Sequence, residues 1–246
     1  MVRGIGKEFM EKTRYEYLEE SDQSMGLPQP TLELPYEKTK RVIDLPAPSE
    51  VDVGSYNLRE AMEGRRSVRA YSKDPLTLEE LSWLLWCTQG VKEVIRRPAT
   101  LRNVPSAGAR HAFETYLLAN RVEGLKPGLY RFLAIEHKLV EVNLEEGVDD
   151  SVTAAAYRQG MVKNSAVTFI WVAVRYRMYW RYVERGYRYL HLDAGHVCQN
   201  LYLAAEATGC GACAIGAFFD KKINELLSLD GEEQFVIYMA TVGKKG

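Results

Sequence analysis

The chain has 246 residues, with 32 basic against 33 acidic side chains and a formal net charge of -1, so no global field draws it to nucleic acid or to a membrane, and any anion site must be local. Hydrophobic residues make up 46% and charged residues 26%, an ordinary balance for a soluble globular protein, and no apolar run reaches membrane-spanning length. The first ten residues lack the apolar core and cleavage site of a signal peptide, and four unevenly spaced cysteines are no secreted disulfide framework, so a cytoplasmic protein is expected.

In chain order, Phe9, Met10, Tyr15 and Leu18 recur near helical spacing and predict an amphipathic helix over residues 1 to 21, ended by Ser21-Asp22 and Met25-Gly26-Leu27-Pro28. Pro28, Pro30, Pro35, Pro46 and Pro48 then deny the chain regular structure and predict an extended arm. Its Leu32, Leu34, Tyr36, Val42, Ile43 and Leu45 could fill a groove on the protein surface or on a partner. We therefore divide the chain into a helix and arm, 1–56, and a compact domain, 57–246.

A short helix, Leu58 to Glu63, runs into Gly64-Arg65-Arg66-Ser67-Val68-Arg69-Ala70-Tyr71. Three guanidinium groups and a hydroxyl make a donor cluster suited to a phosphate. A solvated basic turn is the competing reading, and these eight residues taken alone favour it. Thr77 and Glu80 form a capping box for a helix that stops at Gly90. Residues 96 to 110 read as a polar loop ending in Pro105-Ser106-Ala107-Gly108-Ala109, small residues that let something approach the backbone closely.

Phe113 to Ala119 predicts a strand, 129–135 and 139–142 a hairpin, Ser151 to Lys163 a helix, and Ala166 to Val174 a central strand buried on both faces. Residues 175 to 189 interleave five arginines with six aromatic rings. That pattern can bind single-stranded nucleic acid, but the neutral net charge favours rings packed inward and arginines reaching outward. A long helix follows from His191 to Ala207, then a helix to Leu227 and a last strand over 234–242. Cys210 and Cys213 have the spacing of a redox dithiol or half a zinc site; without a second ligand pair they read as small packing residues. His191, Asp193 and His196 do not share one helical face, so no metal site is expected.

This order of elements resembles the nitroreductase family of FMN enzymes over residues 57 to 243. Within that family the chain is most similar to the SagB-type branch, whose members oxidise azoline rings in ribosomal peptides. The similarity is carried by the Pro-rich arm, Pro105-Ser106-Ala107-Gly108-Ala109, Gly128-Leu129-Tyr130 and Asp193-Ala194-Gly195-His196. The resemblance implies an α+β fold, a mixed β-sheet flanked by helices, in an intertwined homodimer with two FMN sites at the interface. It implies hydride transfer between flavin N5 and an unidentified organic substrate, small molecule or peptide, with NAD(P)H as a candidate electron donor. A nitro or quinone reductase and a non-catalytic flavin-binding module are the alternatives.

By resemblance, Arg65, Arg66, Ser67 and Arg69 hold the FMN phosphate and ribityl chain, and Pro105, Ser106, Ala107 and Ala109 form the loop that the second subunit lays against the flavin. The amides of Gly216 and Ala217 donate to flavin N5 and O4, Gln159 reads the pyrimidine edge, and Lys244 or Lys245 supplies a cation to the phosphate. The branch's Lys-Tyr pair for proton abstraction corresponds here to Arg181-Tyr182. Arginine stays protonated and is a poor base. Tyr182 is then the group to move a proton, with Arg181 lowering its pKa or holding an anionic substrate.

Overall fold

The computed structural model describes residues 4–96 and 98–246. Helix α1, Ile5–Lys12, ends well before residue 21. Thr13 is buried, its carbonyl accepts from Arg185 at 3.0 Å and its hydroxyl from Arg188 at 2.5 Å, so the chain leaves the helical path to be held there. The first three residues of the expected helix lie outside the described residues.

The arm is fastened along its length to its own chain. Gln23 N donates to Trp180 O at 2.9 Å, Trp180 Nε1 to Leu27 O at 3.0 Å, Arg177 Nε to Thr31 O at 2.8 Å and Leu34 N to Glu114 Oε1 at 2.8 Å. It does hold one regular element, strand β1, Val42–Asp44, which the prolines on either side confine to a sheet edge.

Helix α2, Leu58–Gly64, is capped by Asn57. Helix α3, Leu78–Gln89, has the full Thr77/Glu80 capping box and stops at Gly90. Next come β2, Val91–Ile95, and β3, Ala99–Arg102, an antiparallel hairpin whose second strand lies inside the polar loop expected over residues 96 to 110. The order continues with β4 Phe113–Ala119, β5 Gly128–Leu133, β6 Lys138–Asn143, α4 Val148–Ala155, α5 Met161–Asn164, β7 Val167–Val174, α6 Arg175–Tyr182, α7 Gly186–Ala207, β8 Cys210–Ile215, α8 Asp220–Leu226 and β9 Gln234–Lys244.

Seven strands form one sheet in the order β1-β6-β5-β4-β7-β9-β8. The strand pairs are antiparallel, and a parallel bridge from Ser67 to Ala212 extends the outer edge of β8. Strand β7 sits between β4 and β9 with Val167 to Ala173 buried. Its Phe169, Trp171 and Ala173 face the core shared with α3 and α7, and Ile170 and Val172 face the core shared with α4 and α8. This is an α+β sandwich with helices on both faces of the sheet. Among the described residues no helix is long and apolar enough to cross a membrane.

The single helix expected over 151–163 is broken into α4 and α5. Tyr157 and Arg158 both have φ 55°, and Tyr157 stacks on Phe219 with ring centroids 4.1 Å apart. Strand β8 puts Cys210 and Cys213 on opposite faces, one in each core cluster. Residues three apart on a strand cannot present two thiols to one partner, and burial pushes both thiols up in pKa.

Candidate functional site

The arginine segment lies on the open edge of β8, joined by Val68 N donating to Ala212 O at 2.9 Å. A Cβ on Gly211 would stand 2.6 Å from Val68 Cβ, so only glycine allows this approach. Ser67 Oγ lies 3.0 Å from the Tyr202 hydroxyl, and the same hydroxyl accepts from Ala214 N at 2.8 Å. The Arg65 guanidinium lies 5.3 Å from the Tyr202 ring centroid. Tyr202 on α7 thus fixes both the serine and the first arginine, a residue that sequence reasoning passed over. Its spacing of four from Glu206 is the signal that could have found it.

Arg66, Ser67 and Arg69 are exposed and Arg65 half-buried. Among the described residues none of these three arginines forms an ion pair. Lys244 already has partners: it pairs with Glu80 of the capping box and reaches Thr208 O at 3.4 Å. Lys245 stands near the start of the segment. It pairs with Glu206, whose Oε2 stands 3.8 Å from where a Cβ on Gly64 would be. Strand β9 runs out to Lys244, and alternation along an extended chain sends the two lysines to opposite sides.

A second part of the site is a groove of about 530 Å³ lined by His191, Ala194 and Gly195 of α7, by Gly216, and by Phe235 to Tyr238 of β9. Gly216 and Ala217 are exposed. Gln159 Nε2 donates to Ala217 O and to Ala156 O, both at 2.9 Å. Both amide hydrogens are therefore spent. Gln159 tethers the Gly216-Ala217 turn and retains only its carbonyl oxygen, an acceptor, for a ligand; the break between α4 and α5 is what brings it there.

The Pro105–Ala109 loop lies on the far side of α7 from that groove. Ser106 Oγ donates to Asp193 Oδ2 at 2.6 Å, Ala107 N to the same carboxylate at 3.3 Å, and His111 N to Ser106 Oγ at 2.9 Å. Burial raises the Asp193 pKa, against the pull of these donors. Asp193 precedes Tyr202 by nine residues, roughly 13 Å along the helix axis. Within one chain the loop and the arginine segment are thus separate. The loop does meet Arg181-Tyr182: at Gly108, φ 59°, a Cβ would stand 2.5 Å from the Tyr182 hydroxyl and 3.0 Å from Arg181 Cδ.

The other arginines of the basic-aromatic stretch are occupied inside the molecule. Arg177 is buried against Glu114 at 2.6 Å, Arg175 pairs with Glu233, and Arg185 and Arg188 hold Thr13. Among the described residues, no group of three or more His, Cys, Asp or Glu is placed to hold a metal ion.

The model of the nitroreductase family matches residues 62–244. A protein named as a nitroreductase from Methanocaldococcus jannaschii is 35% identical over 195 residues, 79% of this chain and 94% of its own length. A solved structure described as a nitroreductase from Ralstonia eutropha is 25% identical, with TM-score 0.69, covering 89% of this chain and 95% of that one. Two more distant structures share the fold. One, from Desulfovibrio desulfuricans in complex with FMN, has 17% identity and TM-score 0.56, covering 78% of this chain and 88% of that one. The other, the E. coli microcin synthetase McbBCD complex with truncated pro-MccB17 bound, has 16% identity and TM-score 0.62, covering 99% of this chain and 92% of that one. With three-quarters of its length matched to the family and a relative of like size, the chain belongs to the nitroreductase family of oxidoreductases.

Proposed function

We propose that the protein binds FMN between the arginine segment and the Gly216 groove and acts as a SagB-like oxidoreductase on an organic substrate. The observation that carries this is the arginine segment: Arg65, Arg66 and Arg69 meet no carboxylate among the described residues, although the segment is fixed at both Ser67 and Val68. Guanidinium groups held in place without counter-charge fit a phosphate. The residues present fit the cofactor at this end: Arg65, Arg66, Ser67 and Arg69 would hold the phosphate with Lys245 nearby, and the groove would take the ring. Bound FMN supplies the hydride chemistry that the side chains lack.

The chain's own residues bind, orient and exclude. The Gly216 and Ala217 amides, on a turn held by Gln159, would orient the ring, a use of fixed backbone donors where charge develops. Since the Pro105 loop lies across α7 from its own groove, a second copy would have to bring Pro105, Ser106, Ala107 and Ala109 against the cofactor, which is the reason we propose a homodimer. Tyr182, touching that loop at Gly108, would hold or accept a proton at its hydroxyl, with the Arg181 cation beside it, its guanidinium 5.5 Å from the Tyr182 ring centroid.

The test is spectroscopic. The purified protein carries, or is reconstituted with, a visible flavin absorbance that Arg65→Ala and Ser67→Ala reduce; a colourless protein that FMN does not reconstitute refutes the proposal. Anaerobic titration with NADH and NADPH then separates the readings. Rapid bleaching by a nicotinamide indicates a nitro or quinone reductase, and absence of bleaching a dehydrogenase with another electron acceptor.

A further inference from the structure

Beside the β2–β3 hairpin lies a cleft of about 570 Å³, lined by Lys92, Glu93, Leu101, Arg102, Val104 and His111, with Pro105, Ser106 and Ala109 of the strained loop as one wall. Only that wall belongs to the site described above.

Arg102 is 7% exposed. Its Nε donates to Thr100 Oγ1 at 3.0 Å and its Nη1 to Gln89 Oε1 at 2.7 Å, both neutral acceptors. No hydrogen bond from Nη2 is present among the described residues, and Nη2 is not among the fully enclosed atoms without a partner. Nη2 is thus the guanidinium nitrogen left without a partner among the described residues, on a side chain that lines the cleft. Glu114 and Glu33 act on Arg102 only at a distance, and Glu114 already accepts from Arg177 at 2.6 Å. Burial lowers the Arg102 pKa to about 10, which leaves it a cation at neutral pH. His111 adds no charge there, because burial first, then Arg102 and Arg110, hold its pKa down to about 3. A buried guanidinium without an ion pair is costly unless something completes it.

The backbone beside it is strained as well. Ala109 and His111 have φ of 53° and 42°, a left-handed conformation that is costly for non-glycine residues and tends to be retained at ligand sites. Lys92, exposed at the mouth and in no ion pair among the described residues, adds a second cation, and the neighbouring Glu93 opposes it. One guanidinium edge and one ammonium, offset by one carboxylate, suit a single negative charge better than the nearly double charge of a phosphate. Leu101, Val104 and Pro105 offer an apolar wall to the rest of the ligand.

We propose that this cleft receives a carboxylate on the Nη2 edge of Arg102, with Lys92 at the mouth, and that the substrate is accordingly a carboxylate-bearing organic molecule. The second half of this rests on the oxidoreductase reading above; the first half does not. The probes are benzoate, its neutral isostere benzamide, and inorganic phosphate, titrated calorimetrically into the protein as purified, with flavin content read from its absorbance. Benzoate is expected to bind at least about tenfold tighter than benzamide or phosphate, as a charge-assisted contact requires.

Arg102→Met is expected to lose that preference and keep its flavin, and Arg102→Lys to keep part of it. Lys92→Gln, at an exposed position, tests the same charge without risk to the core, with benzoate weakened by about threefold and benzamide unchanged. The proposal is overturned by equal binding of benzamide or phosphate, by unchanged benzoate affinity in Lys92→Gln, or by loss of flavin in a folded Arg102→Met. A colourless protein that still prefers benzoate would sustain the cleft while removing the flavin reading.

Discussion

Gly64 to Tyr71 and Arg175 to Tyr189 are both dense in arginine, yet they use it in opposite ways. In the second stretch Arg177 and Arg175 meet carboxylates and Arg185 and Arg188 meet the backbone and hydroxyl of Thr13. Arg177, Arg185 and Arg188 fasten the N-terminal segment and arm to the body, and Arg175 ties α6 to the turn before β9. In the first, three guanidinium groups without ion pairs among the described residues stand at the edge of the sheet, on a segment that Ala212 holds at Val68 and Tyr202 at Ser67. What separates the proposed ligand site from the fastening is whether the arginine has already found its acceptor.

The largest expected effect lies in the fastening. Arg177→Ala leaves Glu114 buried and unpaired, both side chains being 3% exposed, and should cost roughly 3–5 kcal/mol by denaturant titration. A loss below about 1 kcal/mol would mean that the arm is held elsewhere.

The pH dependence comes next. The folded His111 pKa of about 3 lies below its ordinary 6.5, so its contribution is fully present above pH 6.5 and is lost as pH falls toward 3. The slope in that window is up to about 1.4 kcal/mol per pH unit. Melting of wild type and His111→Asn across pH 4.5 to 7 checks it, the variant showing the shallower dependence. Tyr202→Phe removes the hydroxyl shared by Ser67 and Ala214 and should cost about 1 kcal/mol, with a several-fold weaker hold on FMN by equilibrium dialysis.

Smallest in stability, and most telling for the comparison, is Arg65→Ala with Arg66→Ala. Melting should change little, surface changes of this kind being within about 0.5 kcal/mol, while FMN affinity falls about tenfold or more. Arg69→Ala should weaken FMN less. Full flavin retention in the double variant would make this segment a solvated turn after all.

Much of the fold was legible because its signals are local. The Thr77/Glu80 box, the alternation in β4, the hairpin of β5 and β6 and the apolar run of β7 each announce themselves within a few residues. Strands β1, β3 and β8 do not: β1 is three residues long, β3 is half polar, and the small residues of β8 become a strand only because β9 pairs with them. The candidate site divides similarly. Arg65 to Arg69 and the Pro105 loop stand out by type and Gly216 only by resemblance to the family, but the roles of Tyr202 and Asp193 depend on contacts over 87 to 135 positions. Gln159 could be named by resemblance, but not that both its hydrogens are used. The choice between Lys244 and Lys245 turns on strand parity at the end of β9, which no local pattern marks.

The same parity on β8 gives the protein two built-in reporters. Cys210 is sealed under the face covered by α3 and α7, and Cys213 under the face covered by α4 and α8. Each thiol can meet a reagent only when its own side of the sheet opens. Their relative rates of alkylation would therefore record which layer of helices loosens first, and whether filling the groove slows one layer or both.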